Sequence, residues 1–552
     1  MKHFRAGFVL LVCLALVAMA PIASAGPGKG AQQAPEVDLQ ILAFNDFHGQ
    51  IQPYVSTSSG GYISGGAAYL ATFIRDLEAT TRNTVIISGG DLIGASPLVS
   101  ALFHDEPTIE AANLMGVDFA TVGNHEFDEG WQELIRMQEG GCHPEDGCLD
   151  GDPFYGAEFP FMSANVVRDD TGDTLFAPYR VETFQGVRVA FIGAVLQDTP
   201  SIVTASGVEG LTFLDEAEAI NASVAELKKR NIEAIVAVVH QGGSSDCTGA
   251  IVDVVEATDD EVDLFITGHT HATYVCDIDG RTVTSTTNAG RALTEIDLTL
   301  NRVTKDITSI TAVNHNMNHA LIPDVEPAAD VQALIDKYEE LSAPLANEVI
   351  GGITADITRT LNAAGESALG DVIADAQLAD TAPTGKGEAV VAFMNPGGIR
   401  TDLLYGQISG GEDPGEVTYG EAFAVQPFTN YLITMTLTGA QIEALLEQQF
   451  VVDRILQISE GFSYSWSDGA PIGSKVDPAS IKFDGTPIDL GADYRVTVNS
   501  FLADGGDGFT VLTQGTDRLT GAIDLDAFVD YFASFGGTPV PPGPQTRITM
   551  IP

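Results

Sequence analysis

The sequence predicts an α/β protein with more than one domain. From Pro35 onward, short apolar strands alternate with helical patterns, which is typical of this fold class. The chain has 552 residues, more than one ordinary hydrophobic core organises. Its apolar fraction of 44% and its lack of long repeats indicate a globular protein.

The first 25 residues have the features of a secretory signal peptide. Residues 1–5 are basic, residues 6–20 form an apolar run, and residues 23–25 resemble a signal-peptidase cleavage site. The apolar run is short for a transmembrane helix, and Cys13 lies inside it, so we expect no membrane anchor. We therefore expect an exported protein, cleaved near Ala25, that is periplasmic or extracellular.

The chain is strongly acidic, with a formal net charge of −50 from 76 acidic and 26 basic residues. Such a chain is poorly suited to binding a nucleic-acid polymer by neutralising its phosphates. The charge suits a protein that stays soluble in salty surroundings. An anionic substrate would need metal ions or a local group of arginines to attract it.

Four cysteines follow the predicted signal peptide, and an even number suits disulfides in an exported chain. The loop between Cys142 and Cys148 is short and rich in Gly, His, Pro and Asp, so it could close on itself. Cys247 and Cys276 would then form the second pair, while two other connectivities stay open. A zinc cluster is the weaker alternative because the cysteines lack C-x-x-C spacing.

Five predicted strands in the first half of the chain end in residues that can bind a metal or move a proton. Because the carboxyl ends of strands form the ligand crevice of an α/β sheet, these polar ends can converge. The strands are predicted at residues 37–44, 84–88, 117–122, 232–239 and 262–267. Their ends deliver Asp46, His48, Asp91, Asn124, His125, His240, His269 and His271.

This set of imidazoles, carboxylates and an amide exceeds the needs of one four-coordinate zinc ion. It suits two divalent metal ions a few ångströms apart and bridged by one carboxylate. Nitrogen and oxygen donors without thiolates are compatible with zinc, manganese, iron or cobalt. His125 and Asp128 lie three residues apart, a spacing that lets the carboxylate orient the imidazole.

The polar strand ends form a series of motifs. The series is Asn45-Asp46-x-His48-Gly49, Gly89-Gly90-Asp91, Gly123-Asn124-His125-Glu126, His240 and Gly268-His269-x-His271. It resembles the motif series of calcineurin-like metallophosphoesterases, in the order and spacing of the secreted 5'-nucleotidase family. The resemblance implies a four-layer α/β/β/α sandwich that carries a dinuclear metal site.

The same resemblance implies roles for individual residues. His125 and Asp128 would form a catalytic dyad, and Asp91 would bridge the two metal ions. One ion would be held by Asp46, His48, Asp91 and His271. The other would be held by Asp91, Asn124, His240 and His269.

A linker helix is predicted between two domains. Residues 329–341 form one amphipathic helical pattern. The histidine-containing stretch 314–319, just before it, is expected to be a solvated loop. We expect a metallophosphoesterase domain over residues 36–326, a linker helix over 327–345 and a smaller domain over 346–552.

The second domain contains turns that can bind a nucleotide-like ligand. Glycines after the predicted strand at residues 389–394 allow close approach of the backbone, and an arginine there can pair with an anion. Two aromatic side chains beside turns can sandwich a flat base, and a carboxylate can accept hydrogen bonds from a ribose. The residues concerned are Asn395, Gly398, Arg400, Phe428, Phe501 and Asp507.

The motifs Asn395-x-Gly-Gly-Ile-Arg400 and Phe501…Gly505-Gly506-Asp507-Gly508, with Phe428 between them, resemble the 5'-nucleotidase C-terminal domain. The resemblance implies a smaller α+β substrate-binding domain that stacks a base between Phe428 and Phe501. It also implies a ribose bound by Asp507 and an anion bound by Arg400. Nucleotide-specific members carry a further arginine where this chain has residues 362–365, and Arg359 is nearby but offset. That departure leaves room for other phosphoesters.

Together these features predict an exported phosphohydrolase that releases phosphate from extracellular nucleotides, first of all 5'-nucleotides such as AMP. A hydroxide activated by the metals would attack the phosphorus, with His125 and Asp128 assisting. The nearer alternatives are a 2',3'-cyclic-nucleotide phosphodiesterase with 3'-nucleotidase activity and a nucleotide-sugar diphosphatase. A secreted binding protein without catalysis is the remote alternative, disfavoured by the intact set of ligands and dyad.

Overall fold

The structure is a computed structural model, and it describes residues 35–55 and 61–551. The predicted signal peptide at residues 1–25 lies outside these described residues. Among the helices that the structure describes, none has the length and apolar character needed to cross a membrane.

Two six-stranded sheets form the centre of the first domain. The first sheet contains, in spatial order, Ile307–Asn316, Ala292–Asn301, Glu36–Phe44, Thr84–Ser88, Phe119–Thr121 and Phe161–Met162. The second contains Tyr274–Ile278, Arg281–Ser285, Leu264–Thr267, Ala234–His240, Val187–Val195 and Tyr179–Phe184. The strands that carry the motifs run parallel within each sheet, so their carboxyl ends lie at one edge.

Apolar side chains fill the space between the two sheets. Ile41 from the first sheet and Val236 from the second belong to one fully buried cluster. The rings of Phe119 and Phe191, one from each sheet, lie 4.8 Å apart. Because side chains alternate along a strand, Phe44, on the same strand as Ile41, faces the opposite, outer side of the first sheet.

Helices cover both outer faces. The outer face of the first sheet packs against Ala67–Glu78, Glu106–Met115, Trp131–Glu139 and Ala329–Ala346. That of the second packs against Glu216–Lys229 and Ala250–Ala257. This order of layers confirms the predicted α/β/β/α sandwich.

The second domain is a smaller α+β assembly. Its five-stranded sheet contains, in spatial order, Gln457–Ile458, Val391–Met394, Asp493–Asn499, Tyr431–Thr438 and Thr516–Ile523. Helices Ala368–Thr381 and Asp524–Ser534 share one buried cluster, and Gly439–Gln448 packs in another. A four-stranded sheet adds Thr486–Pro487, Lys482–Phe483, Phe462–Ser467 and Ile548–Ile551.

Short elements complete the described chain. The two-stranded ladders pair Leu211–Phe213 with Val166–Arg168, Val349–Gly352 with Glu416–Thr418, and Tyr54–Val55 with Ile63–Ser64. The short α-helices are Leu98–Ala101, Thr199–Ile202, Tyr419–Val425 and Ser500–Ala503. The 3₁₀ turns are His125–Phe127, Ala205–Val208, Pro396–Gly398, Pro478–Ser480, Gly506–Gly508 and Leu512–Gln514.

Helix Ala329–Ala346 occupies the position of the predicted linker and is longer than the pattern over residues 329–341. Tyr338 is fully buried, its ring lies 4.9 Å from that of Phe103, and its hydroxyl lies 3.0 Å from carboxylate oxygens of both Glu110 and Asp150. These contacts hold the helix against the first domain. The domain boundaries at residues 326 and 346 stay a prediction.

The prediction of a loop at residues 314–319 is wrong for residues 314–316. Residues 314–316 end the edge strand Ile307–Asn316, which pairs with Ala292–Asn301. His315 bonds Glu295 at 2.8 Å, and His319 stacks on Tyr69. Both histidines therefore have structural partners.

The cysteines pair as Cys142–Cys148 and Cys247–Cys276. This is the first of the three connectivities that the sequence left open. The first disulfide closes a short loop, and the second ties strand Tyr274–Ile278 to the segment that follows His240.

Candidate active site

The carboxyl ends of the strands bring all seven predicted metal ligands together. Asp46, His48 and His271 have donor atoms within 4.8 Å of one another, and so do Asp91, His240 and His269. The loops that carry them are bonded to each other. The amide of His48 donates to the carbonyl of Asp91 at 3.0 Å, and that of His269 donates to the Asp46 carboxylate at 3.0 Å.

Asp91 lies between the two donor groups. Its Oδ2 is 3.0 Å from His240 Nε2 and 3.9 Å from His48 Nε2. In the first group, His271 Nε2 is 3.2 Å from His48 Nε2 and 3.3 Å from Asp46 Oδ1. In the second, His269 Nδ1 is 3.0 Å from the Asn124 side-chain oxygen. Asp91 therefore lies within 4 Å of a histidine from each donor group.

The hydrogen bonds of the histidines leave lone pairs for cations. His48 Nδ1 donates to Gly94 O at 2.9 Å and His240 Nδ1 donates to Gly89 O at 2.9 Å. Each imidazole therefore presents its Nε2 to the donor group, a common arrangement for metal-binding histidine. The Nε2 of His240 is fully buried and has no hydrogen-bond partner of good geometry among the described residues. The donors therefore fit divalent cations.

The pKa shifts of the histidines also indicate a site that favours cations. Burial lowers the pKa of His48 to about 3 and that of His269 to about 4, so both rings are neutral near pH 7. Burial also acts to lower the pKa of His240, but the charges of Asp91 and Asp46 outweigh it and raise that pKa to about 10. The pocket between these carboxylates therefore requires positive charge, which a proton or a metal ion can supply.

The backbone is strained at most of these ligands. The φ angles are positive at five non-glycine residues: Asp46 (51°), His48 (50°), Asp91 (50°), His269 (73°) and His271 (54°). Each such residue costs on the order of 1–3 kcal/mol and persists only where its surroundings enforce it. Strain concentrated on the donors is typical of a functional site.

Three residues that the sequence analysis did not assign organise these loops. Glu126 is buried and accepts from the amides of Asp91 at 3.0 Å, Leu92 at 2.7 Å and Gly123. Asn45 accepts from the amide of Thr286 at 2.8 Å. A Cβ at Gly123 would collide with the Asp91 carboxylate, so this turn requires glycine. Glu126 and Asn45 stand inside the motifs, which is the signal that could have found them.

His125 and Asp128, the residues of the predicted dyad, are hydrogen-bonded. His125 Nδ1 lies 2.8 Å from Asp128 Oδ2, and the His125 amide donates to Asp91 at 2.9 Å. Burial acts to lower the pKa of His125, but the charges of Asp128 and Asp91 raise it overall. The ring meets that of His48 edge to face at 5.0 Å. The dyad therefore adjoins the donor groups.

One cavity joins the dyad to the second domain. All six residues that were expected to bind substrate line it, together with Asn124, His125, Asp128 and His269. The six are Asn395, Gly398, Arg400, Phe428, Phe501 and Asp507. The two domains also touch beside the cavity, where segment Thr199–Ile202 contacts the turn Gly506–Gly508.

Phe428 connects the two halves of the cavity. Its ring lies 5.9 Å from that of His125 with an angle of 13° between the planes, and the guanidinium of Arg400 lies 5.5 Å from its centre. Gly506 packs so close to Phe501 that a Cβ there would meet the phenyl ring at 2.5 Å. Both phenylalanines keep part of their surface exposed to the cavity.

A chain of amide hydrogen bonds positions Asp507. Asn499 donates to Asn395 at 3.0 Å, and Asn395 donates to the Asp507 carboxylate at 2.9 Å. Asp507 has a φ of 55° and a pKa raised by burial, against the opposing effects of Asn395 and Arg454. The carboxylate is therefore held at a fixed place in the cavity.

Two further arginines lie near Arg400. Arg359 donates to the carbonyl of Ile399 at 3.2 Å, next to Arg400 in the chain. Arg454 lines the cavity close to Asp507. Arg454 could not be predicted from the sequence because no motif surrounds it.

Comparison with known families defines the class. Residues 39–273 match the model described as calcineurin-like phosphoesterase, and residues 348–514 match the model described as 5'-nucleotidase, C-terminal domain. The fold and the site are thus those of a two-domain metallophosphoesterase.

Similar proteins support the same assignment. The chain is 34% identical to Endonuclease YhcR of Bacillus subtilis, over 92% of this chain but only 41% of that protein. It is 34% identical to Cell wall protein Lmo0130 of Listeria monocytogenes, over 91% of this chain and 68% of that protein. The crystal structure of a 5'-nucleotidase precursor from Thermus thermophilus superimposes with a TM-score of 0.75 at 26% identity, over 93% of this chain and 99% of that chain. The chain belongs to the 5'-nucleotidase family.

Proposed function

We propose that the chain is an exported, metal-dependent phosphohydrolase that releases phosphate from nucleotides, with 5'-nucleotides such as AMP as the first substrates. The observation that carries this proposal is the shared cavity. It is lined by His125 and Asp128, by Asn124 and His269 next to the donor groups, and by Phe428, Phe501 and Asp507. A mononucleotide needs a phosphate site and a base site at the same time, and this cavity offers both.

The donor groups would hold two divalent ions. Asp46, His48, Asp91 and His271 would bind one, and Asp91, Asn124, His240 and His269 the other. Zinc, manganese, cobalt and iron all suit these nitrogen and oxygen donors. Bound there, the ions would stabilise charge on the phosphoryl oxygens and favour ionisation of a water molecule.

The dyad would act on the charge that develops during attack. Asp128 accepts from His125 Nδ1 at 2.8 Å, and the charges of Asp128 and Asp91 favour the protonated ring, in which Nε2 also carries a hydrogen and would donate to a phosphoryl oxygen. The positive charge of Arg400 lies beside the dyad and adds a second favourable interaction with the phosphate.

The second domain would recognise the nucleoside. Phe428 and Phe501 offer aromatic faces to a base, and stacking on such faces tolerates different bases. Asp507, held by Asn395, can accept hydrogen bonds from ribose hydroxyls. The productive complex therefore requires both domains.

Export is supported by the amino-terminal pattern and by the two disulfides, which form and persist in oxidising compartments. Expression of the full chain followed by fractionation and amino-terminal sequencing tests this. A mature protein that begins near Gly26 outside the cytoplasm is expected. An uncleaved cytoplasmic protein would contradict export.

The test of the activity is phosphate release from AMP by the mature protein, with added manganese and with a chelator. Release that the chelator abolishes and manganese restores is expected. His125→Asn is the matched variant, since it removes the dyad but none of the seven metal ligands. No release from AMP or from any other nucleotide would contradict the proposal and favour a binding protein.

A phosphodiesterase is the second candidate, and Arg454 favours it. Its positive charge lies near Asp507, where a ribose would bind, so an additional anionic group on the ribose could be recognised there. The relative named as an endonuclease in Bacillus subtilis supports the same class of substrate, although this chain spans 41% of that protein. A panel of AMP, 3'-AMP, 2',3'-cyclic AMP and a nucleotide sugar separates the candidates.

A further inference from the structure

A second group of possible metal ligands lies outside the cavity, behind the dyad. His104, His143 and Asp146 each offer a donor atom within 4.8 Å of the others. His104 Nε2 is 3.0 Å from Asp146 Oδ2, and His143 Nδ1 is 3.3 Å from the same oxygen. The two imidazole rings stack at 3.9 Å with an angle of 14° between their planes. The three donors thus form a compact triangle.

The hydrogen bonds show which atoms of this triangle carry lone pairs. The amide of Asp146 donates to His143 Nδ1 at 3.2 Å, so this nitrogen carries a lone pair, and an ion bound to it would replace that hydrogen bond. A lone pair and a carboxylate oxygen 3.3 Å apart favour a cation between them, which the proton of His104 or a metal ion can supply. Two imidazoles and one carboxylate are the donor types that bind zinc, with water in the fourth position.

The backbone holds the triangle in place. His143 and Asp146 belong to the loop closed by the Cys142–Cys148 disulfide. Within it, His143 and Gly147 exchange two backbone hydrogen bonds of 3.2 and 2.9 Å. His104 has a φ of 51°, a left-handed conformation that is uncommon for histidine. These constraints fix the donors before any ion arrives.

A further carboxylate orients His104. Its Nδ1 donates to Glu129 at 2.7 Å, which leaves Nε2 to face Asp146 and His143. A carboxylate that binds the remote nitrogen of a metal-binding histidine is a frequent arrangement. Glu129 directly follows Asp128 of the dyad, so the triangle is connected to the segment that carries the catalytic groups.

We propose that His104, His143 and Asp146 bind one additional divalent metal ion, zinc by its donor set, with Glu129 as a positioning residue. This ion is separate from the ions of the cavity. It ties the disulfide loop to the segment that carries His125 and Asp128, so its role is structural.

The metal content of variants tests the proposal. The mature protein is stripped with chelator, dialysed against buffered micromolar zinc and analysed for bound metal. His143→Phe keeps a ring to stack on His104 but removes the donor nitrogen. The matched control is His315→Phe, because His315 pairs with Glu295 at 2.8 Å and belongs to none of the donor groups. Wild type and control are expected to bind one equivalent more than His143→Phe, whatever the cavity holds.

Two further measurements keep the test decisive. Asp146→Asn should lose the same equivalent, and Glu129→Gln should keep it with about 10–100-fold weaker affinity. Zinc should protect the amides of residues 142–148 from hydrogen exchange in the wild type and not in His143→Phe. Equal metal content in wild type and His143→Phe, with no zinc-dependent protection, would overturn the proposal. It would leave His104 as a protonated histidine paired with Glu129 and Asp146.

Discussion

Removal of the Phe428 ring tests whether the cavity binds a base. Stacking of one base on an aromatic side chain contributes about 1–3 kcal/mol, which corresponds to a factor of about 5–150 in kcat/KM. Phe501 would remain as the other platform in Phe428→Ala. We therefore expect kcat/KM for AMP to fall by about 5–30-fold, within the lower part of that range.

The choice of substrates separates stacking from other roles of the ring. Phe428 also lies 5.9 Å from the ring of His125 and 5.5 Å from the guanidinium of Arg400, so its loss could disturb the dyad or the arginine. Ribose 5-phosphate has the phosphate and sugar of AMP but no base. Loss of stacking should change its kcat/KM by less than about twofold, whereas a disturbed dyad lowers kcat for both substrates.

The assay is phosphate release under initial-rate conditions with both substrates and constant manganese. Phe428→Leu is the companion variant, because it keeps an apolar side chain but removes the aromatic face. Both variants should lose activity on AMP selectively. An equal loss on AMP and ribose 5-phosphate would refute base stacking by Phe428 and assign the ring to support of His125 and Arg400.

Three further predictions concern other parts of the molecule. His125→Asn should lower kcat for AMP by about 10²–10⁴-fold with unchanged metal content, and wild-type turnover would remove the role of the dyad. Arg454→Gln should lower kcat/KM for adenosine 3',5'-bisphosphate, whose 3'-phosphate is an additional anion on the ribose, by about tenfold and that for AMP by less than about threefold, and equal effects would contradict recognition of a ribose-linked anion. Burial, with help from Asp306 and Glu261, raises the pKa of Asp263 from its usual 3.8 to about 8. The folded state therefore holds the proton more tightly and loses stability as the pH rises from about 4 through 8. In urea unfolding, the free energy of unfolding of Asp263→Asn should rise relative to that of wild type by about 1–3 kcal/mol between about pH 5.5 and 9. The control Asp260→Asn, at an exposed position, should show no such trend.

The donors of the cavity could be predicted from the sequence because local sequence determines their position. Each follows a buried strand within a few residues, and parallel strands end at one edge of a sheet. Asp91 illustrates this, since it follows Thr84–Ser88 after two glycines. The motif therefore located this carboxylate at the strand end without knowledge of how the sheets pack. The positive φ at Asp91, which aims its carboxylate, needed the structure.

Groups of residues that only the packing of distant segments brings together could not be predicted from the sequence. Arg454 reaches the cavity only because helix Gly439–Gln448 and the following turn place it near Asp507. His104 and His143 meet only because a disulfide loop folds against the end of helix Leu98–Ala101. The end of the edge strand Ile307–Asn316 was predicted as a loop because its strand geometry also depends on a distant segment. Most of its side chains are not fully buried, and its strand geometry comes from pairing with Ala292–Asn301.

The net charge of −50 is compatible with an anionic substrate, because charges on the outer surface and charges in the cavity differ in their distance from the substrate. At physiological ionic strength, charges are screened over about 8 Å, so carboxylates on the outer surface contribute little inside the cavity. Arg400 and Arg454 line the cavity itself, and Arg359 lies beside Arg400. The carboxylates of Asp128 and Asp507 also line it, and those of Asp46 and Asp91 belong to the adjoining donor groups. With two divalent ions bound, their four positive charges together with those of Arg400 and Arg454 would exceed the four negative charges of these carboxylates. The local potential at the phosphate position is then positive, opposite in sign to that of the whole protein.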